Sequence, residues 1–185
     1  MVKTRRWTKV LLVAESAVVT GVLLATAGCS SADGAPSPPA AAVSSRPATT
    51  ASPSAGSDAV VAYRAMWDDT MIAARTSDAE NPRLNDHAEG GALQLVRHMM
   101  RENAKQGLVT KGQPTFAPVV TKAEPTSVVI QDCADGSHWL QYTKDGSLKD
   151  DMPGGHHRVD ATVQKHGGRW LVESLYIGEV GTCSE

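Results

Sequence analysis

The spacing of the apolar residues changes near Gly107, and this change restricts the chain to a few folds. Before it, apolar residues recur every three or four positions, which places them on one face of a helix. After it, apolar and polar residues alternate, as they do in half-buried strands. Helices that precede a run of antiparallel strands predict an α+β domain in which the helices pack on a curved antiparallel sheet. The residues of the helical face are Val60, Tyr63, Trp67, Met71 and Ala74.

Turn-forming and helix-ending residues set the expected boundaries, with Ser57 as the cap of the first helix. The pair Gly167 and Gly168 predicts a tight hairpin between the last two strands of a sheet of four to six strands. The predicted helices cover residues 57–75, 82–89 and 91–106. The predicted strands cover residues 115–123, 126–133, 138–143, 157–166 and 169–178.

A segment rich in Ala, Ser and Pro precedes this domain. Residues 30–56 hold eight Ala, seven Ser and five Pro, with Val43 as the one apolar β-branched residue. Such a composition buries too little apolar surface to offset the entropy of ordering, so we expect a flexible tether that spans roughly 30 Å. The predicted tether covers residues 29–56, and residues 57–185 form one domain of ordinary size.

The first 28 residues are typical of an export signal. A basic start is followed by an apolar run, from Val10 to Ala27, that is too short for a permanent membrane span. Ala27 and Gly28 directly precede Cys29, and this arrangement resembles the lipobox of bacterial lipoproteins. The resemblance implies a signal peptide over residues 1–28 and acylation of the Cys29 thiol, which anchors the protein to the outer face of the cytoplasmic membrane.

Two alternatives to this interpretation of the N-terminus stay open. An ordinary secretory signal would be cut at a nearby site such as Ala25-Thr26-Ala27, and the protein would carry no lipid. The segment Thr4-Arg5-Arg6-Trp7 is similar to the start of a twin-arginine signal, whereas a basic start is also common in general secretion, which we favour.

The charge of the mature chain argues against a nucleic-acid partner. Removal of residues 1–28 takes away four of the 18 basic residues and one of the 20 acidic residues, which changes the net charge from −2 to −5. Proteins that bind nucleic acid need basic surface, and so do domains that dock on anionic lipid. We therefore expect membrane contact through the lipid on Cys29 and no binding of nucleic acid.

Cys133 and Cys183 are the two thiols that remain once Cys29 carries lipid. Two thiols in one small domain outside the cytoplasm usually pair, so we predict a disulfide. It would close a loop of about 50 residues and contribute on the order of 4 kcal/mol in the chain-entropy model. A metal site or a catalytic thiol is the alternative, and a metal site needs more soft ligands at short spacing.

The order of elements resembles the NTF2-like fold, in which a long helix and two shorter ones close a cone against a bent sheet. Two sequences carry the resemblance: AVVAYRAMW at residues 59–67, and a glycine hairpin followed by Trp170-Leu171-Val172. The chain is most similar to small lipoproteins of high-GC Gram-positive bacteria that place such a domain behind a Ser- and Pro-rich tether. Cysteines at the positions of Cys133 and Cys183 are familiar in that group.

The resemblance implies two functions of different kinds. A non-catalytic domain would bind a small apolar ligand or a cell-envelope protein; an isomerase- or cyclase-like enzyme would use the same cone. The motifs of such enzymes do not match here, so we predict neither catalytic residues nor a cofactor. Buried aromatic residues are more often core than pocket. The residues that could line the cone are Tyr63, Trp67, Met71, His98, Met99, Trp139, Trp170 and Tyr176.

Two groups of potential metal ligands are weak, and we predict no metal site. His156 and His157 are adjacent at the start of a strand, so they point to opposite faces and rarely share an ion, even with Asp150 or Asp151 nearby. Three aspartates occur near strand ends without EF-hand spacing, and Asp-Gly pairs are typical of turns. They are Asp132, Asp135 and Asp145.

Overall fold

A computed structural model describes residues 53–152 and 154–184. The predicted signal peptide over residues 1–28, Cys29 and the predicted tether up to residue 52 lie outside the described residues. The described residues belong to one compact unit. None of the described helices is long and apolar enough to span a bilayer.

Three helices open the domain. Helix α1 begins at Pro53, four residues before the expected start at Ser57. The reason is local: proline has a backbone angle suited to the first helical position, and Ala55 is buried in the core. The helices are α1 (Pro53–Ala74), α2 (Leu84–His87) and α3 (Gly90–Lys105).

Six described strands follow, in two antiparallel sheets. One sheet pairs β1 with β4, and the other has the order β2-β3-β5-β6. Strand β1 was not predicted from the sequence pattern. Strand β2 begins at Val119, later than the predicted start at Thr115, because Pro118 has no N–H to donate to a ladder. The strands are β1 (Leu108–Gly112), β2 (Val119–Ala123), β3 (Ser127–Asp135), β4 (Trp139–Thr143), β5 (His156–His166) and β6 (Arg169–Val180).

The predicted hairpin between β5 and β6 is confirmed. Gly167 and Gly168 have φ angles of 58° and 87°, which side chains other than glycine rarely adopt. Two consecutive left-handed residues match the right-handed twist of the flanking strands. The hairpin pairs His166 with Arg169 and sets the register between β5 and β6, the two longest described strands of the sheet.

The core lies between the helices and one face of the four-stranded sheet. Tyr63 and Met66 of α1 are fully buried, as are Ile130 of β3 and Val163 of β5. The buried face of α1 is wider than predicted, because it also includes Ala59, Ala62 and Ala73. The expected fold class is confirmed: helices packed on antiparallel strands form an α+β domain.

Candidate ligand-binding cavity

A small apolar cavity of about 160 Å³ lies at one end of the core. It is bounded by α1, α3, the segment between β1 and β2, and strands β3 to β6. Most of its walls are aromatic or aliphatic, and His157 is the one residue among them with a titratable side chain. The lining residues are Trp67, Met99, Pro114, Phe116, Ala134, Gly136, Trp139, Gly154, His157, Val159 and Ile177.

Three aromatic rings from distant parts of the chain meet in the wall of this apolar cavity. Trp67 of α1 stacks on Phe116, with ring centroids 5.0 Å apart and planes 25° apart. Trp139 of β4 meets Trp67 edge to face, at 6.1 Å and 88°. Such pairs contribute beyond the area that they bury, so they hold the wall in one geometry.

His157 brings a fixed polar atom to the apolar cavity. Its Nδ1 lies 2.9 Å from the carbonyl oxygen of Gly178, and a carbonyl can only accept, so Nδ1 carries the hydrogen. The Nε2 atom of the neutral ring is therefore an acceptor. It lies on the ring edge beside Gly136, where an added Cβ would be 3.6 Å away. His157 shares a strand face with buried Val159 and Ala161, which explains its inward position.

Trp139 brings a buried donor. Its indole Nε1 is buried and has no hydrogen-bond partner among the described residues. Buried N–H groups nearly always have a partner, since an unmade hydrogen bond costs about 1–3 kcal/mol. Trp139 also opens β4, whose pairing with β1 fixes its backbone opposite Gly112.

A second, more polar cavity of about 340 Å³ lies beside the apolar one. A chain of hydrogen bonds runs through its wall. Asn103 donates from Nδ2 to Thr110 Oγ1 at 3.3 Å, and its Oδ1 accepts from Gln141 Nε2 at 2.7 Å. Lys149 Nζ then donates to Gln141 Oε1 at 3.0 Å. Asp150 lines the same cavity, with Oδ2 3.9 Å from that Nζ.

The two cavities share part of their lining: Met99, Trp139, Gly154 and His157 belong to both. Gly154 is tightly placed, because a Cβ there would lie 2.1 Å from the carbonyl oxygen of Gly136. Any side chain at residue 154 would therefore displace the backbone that borders both cavities.

A buried polar pair lies behind the aromatic wall, with neither residue among the apolar cavity's lining. Tyr63 donates its hydroxyl to Asp132 Oδ2 at 3.1 Å, and Asp132 Oδ1 accepts the Ala117 N–H at 2.9 Å. Both carboxylate oxygens are thus engaged. Burial first, and then the charge of Asp132, raise the pKa of the Tyr63 hydroxyl far above its usual range. The pair joins α1 to β3 and to the segment before β2.

Three of the eight residues predicted to line a pocket do so: Trp67, Met99 and Trp139. Tyr63 contacts the rings of Trp67 and Phe116 from behind, with centroids 6.4 and 6.2 Å away. Met71 is half-buried outside both cavities.

The other predicted lining residues lie elsewhere. Trp170 is buried beneath Lys165, whose Nζ is 5.7 Å from its ring. His98 lies on the outer face of α3, with its Nδ1 4.0 Å from Glu102 Oε1. Its helix buries Val96 and Met100 instead, on the face toward the core.

Tyr176 is exposed because of an irregularity in β6. Thr162 and Val163 of β5 pair with Ser174 and Val172, so Glu173 is an extra residue in β6. Before this bulge, Trp170 and Val172 are the buried residues; after it, Leu175 and Ile177 face the core. The side-chain alternation therefore changes parity, and Tyr176 lies 59% exposed on the outer surface.

The lining residues that were not predicted from the sequence include Phe116, His157 and Ile177. A signal existed for His157, since it continues the inward series of Val159, Ala161 and Val163. Phe116 gave no such signal, because it lies in an irregular segment between strands.

The predicted disulfide is confirmed. Cys133 and Cys183 are joined with an S–S distance of 2.03 Å and a Cα–Cα distance of 5.9 Å. The bond ties β3 to the segment after β6. It leaves neither sulfur as a metal ligand or a nucleophile.

Two of the potential metal ligands, Asp135 and Asp145, have other partners. Within residues 53–152 and 154–184, no group of three or more His, Cys, Asp or Glu side chains is arranged to hold a metal ion. Asp135 Oδ1 accepts the Ser137 N–H at 2.9 Å, and Asp145 Oδ1 accepts the Ser147 N–H at 3.2 Å. These are turn contacts. The Ser137 N–H lowers the pKa of Asp135, and the Thr143 hydroxyl, followed by the Ser147 N–H, lowers the pKa of Asp145.

Comparisons with known proteins give similarities of fold at low sequence identity. No protein-family model matches the chain, and no curated protein does. The intermembrane-space region of the chloroplast protein ARC6 matches with a TM-score of 0.49 and 13% identity, over 67% of this chain and 96% of that one.

Two bacterial structures of unknown function are similar at the same level. One has a cystatin-like fold and comes from Nostoc punctiforme: TM-score 0.43, 12% identity, 66% of this chain and 92% of that one. The other is an NTF2-like protein from Shewanella oneidensis: TM-score 0.42, 11% identity, 65% of this chain and 98% of that one. These values carry no argument about function.

Proposed function

We propose that this chain is a lipid-anchored protein of the outer face of the cytoplasmic membrane, and that its domain binds a small apolar ligand without transforming it. The observation that carries the binding function is the apolar cavity walled by Trp67, Phe116 and Trp139. Concave, mostly apolar sites with a few placed polar groups are the usual form of small-molecule sites. A small ligand is favoured over a protein partner because this feature is concave.

The volume of the apolar cavity limits the ligand. At about 160 Å³ it is close to the engineered cavity of about 150 Å³ that binds benzene in another protein. Drug-sized ligands usually occupy about 300–1,000 Å³. The apolar cavity therefore suits one aromatic ring, which would stack against the aromatic wall.

Catalysis is less favoured by the same geometry. An isomerase- or cyclase-like reaction needs a base, commonly a carboxylate, within reach of the substrate. Asp132 is a buried carboxylate behind the aromatic wall, but Tyr63 and Ala117 already engage both of its oxygens. His157 is the one candidate base in the apolar cavity, and a single acceptor atom serves ligand orientation equally well.

Binding is tested on the full chain with Cys29→Ala, titrated with toluene by calorimetry. Ile177→Phe places a ring into the apolar cavity, so we expect at least a tenfold loss of affinity. Leu175→Phe is the matched control: it makes a similar change two residues away on the same strand, at a half-buried residue outside both cavities. If toluene does not bind the parent, or binds both variants alike, the proposed site is wrong.

The anchor rests on the sequence around Cys29, and the disulfide supports export because such bonds are rare in reducing compartments. Acylation of the thiol would hold the chain in the membrane. We expect Cys29→Ala to move the protein from the membrane fraction to the soluble fraction of the cell envelope or the medium. Retention of the variant in washed membranes would contradict the anchor.

A further inference from the structure

We infer that the ligand is an uncharged amphipathic molecule, with one aromatic ring in the apolar cavity and a hydroxyl- or amide-bearing arm in the polar cavity beside it. This inference rests on the proposed function, since it specifies the ligand class of the same site. It comes from three features: the shared wall of the two cavities, the polar atoms in that wall, and the charges of the polar cavity.

The shared wall makes one ligand able to reach both spaces. Met99, Trp139, Gly154 and His157 border both cavities and come from α3, β4, the segment before β5, and β5 itself. The lining on one side is aromatic and aliphatic. On the other side it holds Asn103, Gln141 and Lys149.

The wall itself supplies a donor and an acceptor. Trp139 Nε1 is a buried donor that lacks a partner among residues 53–152 and 154–184. In the neutral imidazole, His157 Nε2 is the acceptor, because Nδ1 donates to the Gly178 carbonyl. A hydroxyl group has the chemistry to accept from an indole N–H or to donate to an imidazole nitrogen. We therefore place the first polar atom of the ligand at this boundary.

The polar cavity has hydrogen-bonding capacity but balanced charge. Asn103 and Gln141 each carry two amide N–H donors and use one of them in the chain of described bonds. Lys149 and Asp150 have opposite charges, with Nζ and Oδ2 3.9 Å apart. A carboxylate arm would meet Asp150, and an ammonium arm would meet Lys149. An uncharged arm avoids both repulsions.

The experiment uses the full chain with Cys29→Ala and four ligands that share a ring and a three-carbon arm. They are propylbenzene, 3-phenylpropanol, 3-phenylpropionate and 3-phenylpropylamine, titrated by calorimetry. We expect the alcohol to bind at least tenfold more tightly than each of the other three. Equal affinities for the alcohol and propylbenzene would overturn this inference and leave the proposed function intact, whereas absence of binding by all four would overturn both.

Two variants locate the effect. Trp139→Phe keeps an aromatic ring in the wall but removes the indole N–H, so the ratio of alcohol affinity to propylbenzene affinity should fall at least fivefold. Lys149→Met leaves Asp150 unbalanced, so the amine should gain at least threefold in affinity. An unchanged preference in Trp139→Phe, or an unchanged amine affinity in Lys149→Met, would contradict the assigned contacts.

Discussion

Two of the sites with buried polar atoms, the Tyr63–Asp132 pair and the Trp139–His157 wall, differ in whether those atoms have partners. At the Tyr63–Asp132 site the hydroxyl, both carboxylate oxygens and a backbone N–H satisfy one another. At the Trp139–His157 site the indole N–H has no partner in the described part of the chain. The first arrangement stabilises the fold. The second leaves hydrogen-bonding capacity for a ligand, as expected of a binding site.

The disulfide lies next to the Tyr63–Asp132 site, since Cys133 directly follows Asp132 in β3. Replacing both cysteines by serine should produce the largest effect, a loss of about 4 kcal/mol in the free energy of unfolding, because the bond closes a 50-residue loop. Urea denaturation of the oxidised parent and the double variant measures it. A change below about 1 kcal/mol would mean that the bond does not constrain the unfolded chain.

Tyr63→Phe should cost about 1–3 kcal/mol of stability, because it removes one partner of a buried carboxylate. The fold should persist, since the aromatic contacts with Trp67 and Phe116 remain. Urea denaturation at neutral pH is the measurement, and toluene affinity is the accompanying control. A variant as stable as the parent would show that the Tyr63–Asp132 bond contributes nothing to the fold.

The raised pKa of Tyr63 predicts the direction of a pH effect. The folded state holds the proton above the unfolded pKa of about 10, so stability is intact below that pH and falls as pH rises above it. The parent should therefore lose more stability between about pH 8 and pH 10.5 than Tyr63→Phe does. Parallel losses in the two proteins would assign the effect to other groups.

Trp139→Phe should give the smallest effect on stability, about 1 kcal/mol, because the N–H that it removes has no partner in the described part of the chain and only packing of the larger ring is lost. Both Trp139→Phe and Tyr63→Phe delete one buried donor, and only the Tyr63 donor is engaged. Thermal and urea denaturation of the two variants, side by side, gives the comparison. A loss in Trp139→Phe as large as that in Tyr63→Phe would remove the distinction between the two sites.

The sequence predicted the features that depend on local pattern or on simple pairing rules. The face of α1, the Gly167–Gly168 hairpin and the Cys133–Cys183 bond follow from periodicity, turn chemistry and cysteine count. Strand β1 could not be predicted from such a pattern, because its five residues include only two strongly apolar ones, Leu108 and Val109, and it directly follows a helix.

The candidate site was less predictable, since its composition depends on which distant segments meet. Trp67 and Trp139 could be expected at a buried surface, whereas Phe116 lies in an irregular segment whose position only the tertiary fold determines. Tyr176 was placed wrongly because a one-residue bulge is invisible to a pattern with period two.

The bulge at Glu173 means that the chemistry of the apolar cavity depends on how β6 pairs with β5 as well as on the residues that β6 contains. If Glu173 paired with Thr162 and the strand continued without a bulge, the alternation of side chains would turn Ser174 and Tyr176 toward the core. The phenol of Tyr176 would then replace Ile177 on that face, and an apolar wall would become a hydroxyl-bearing one. Deletion of Glu173, in contrast, would restore regular alternation and leave Leu175 and Ile177 facing the core.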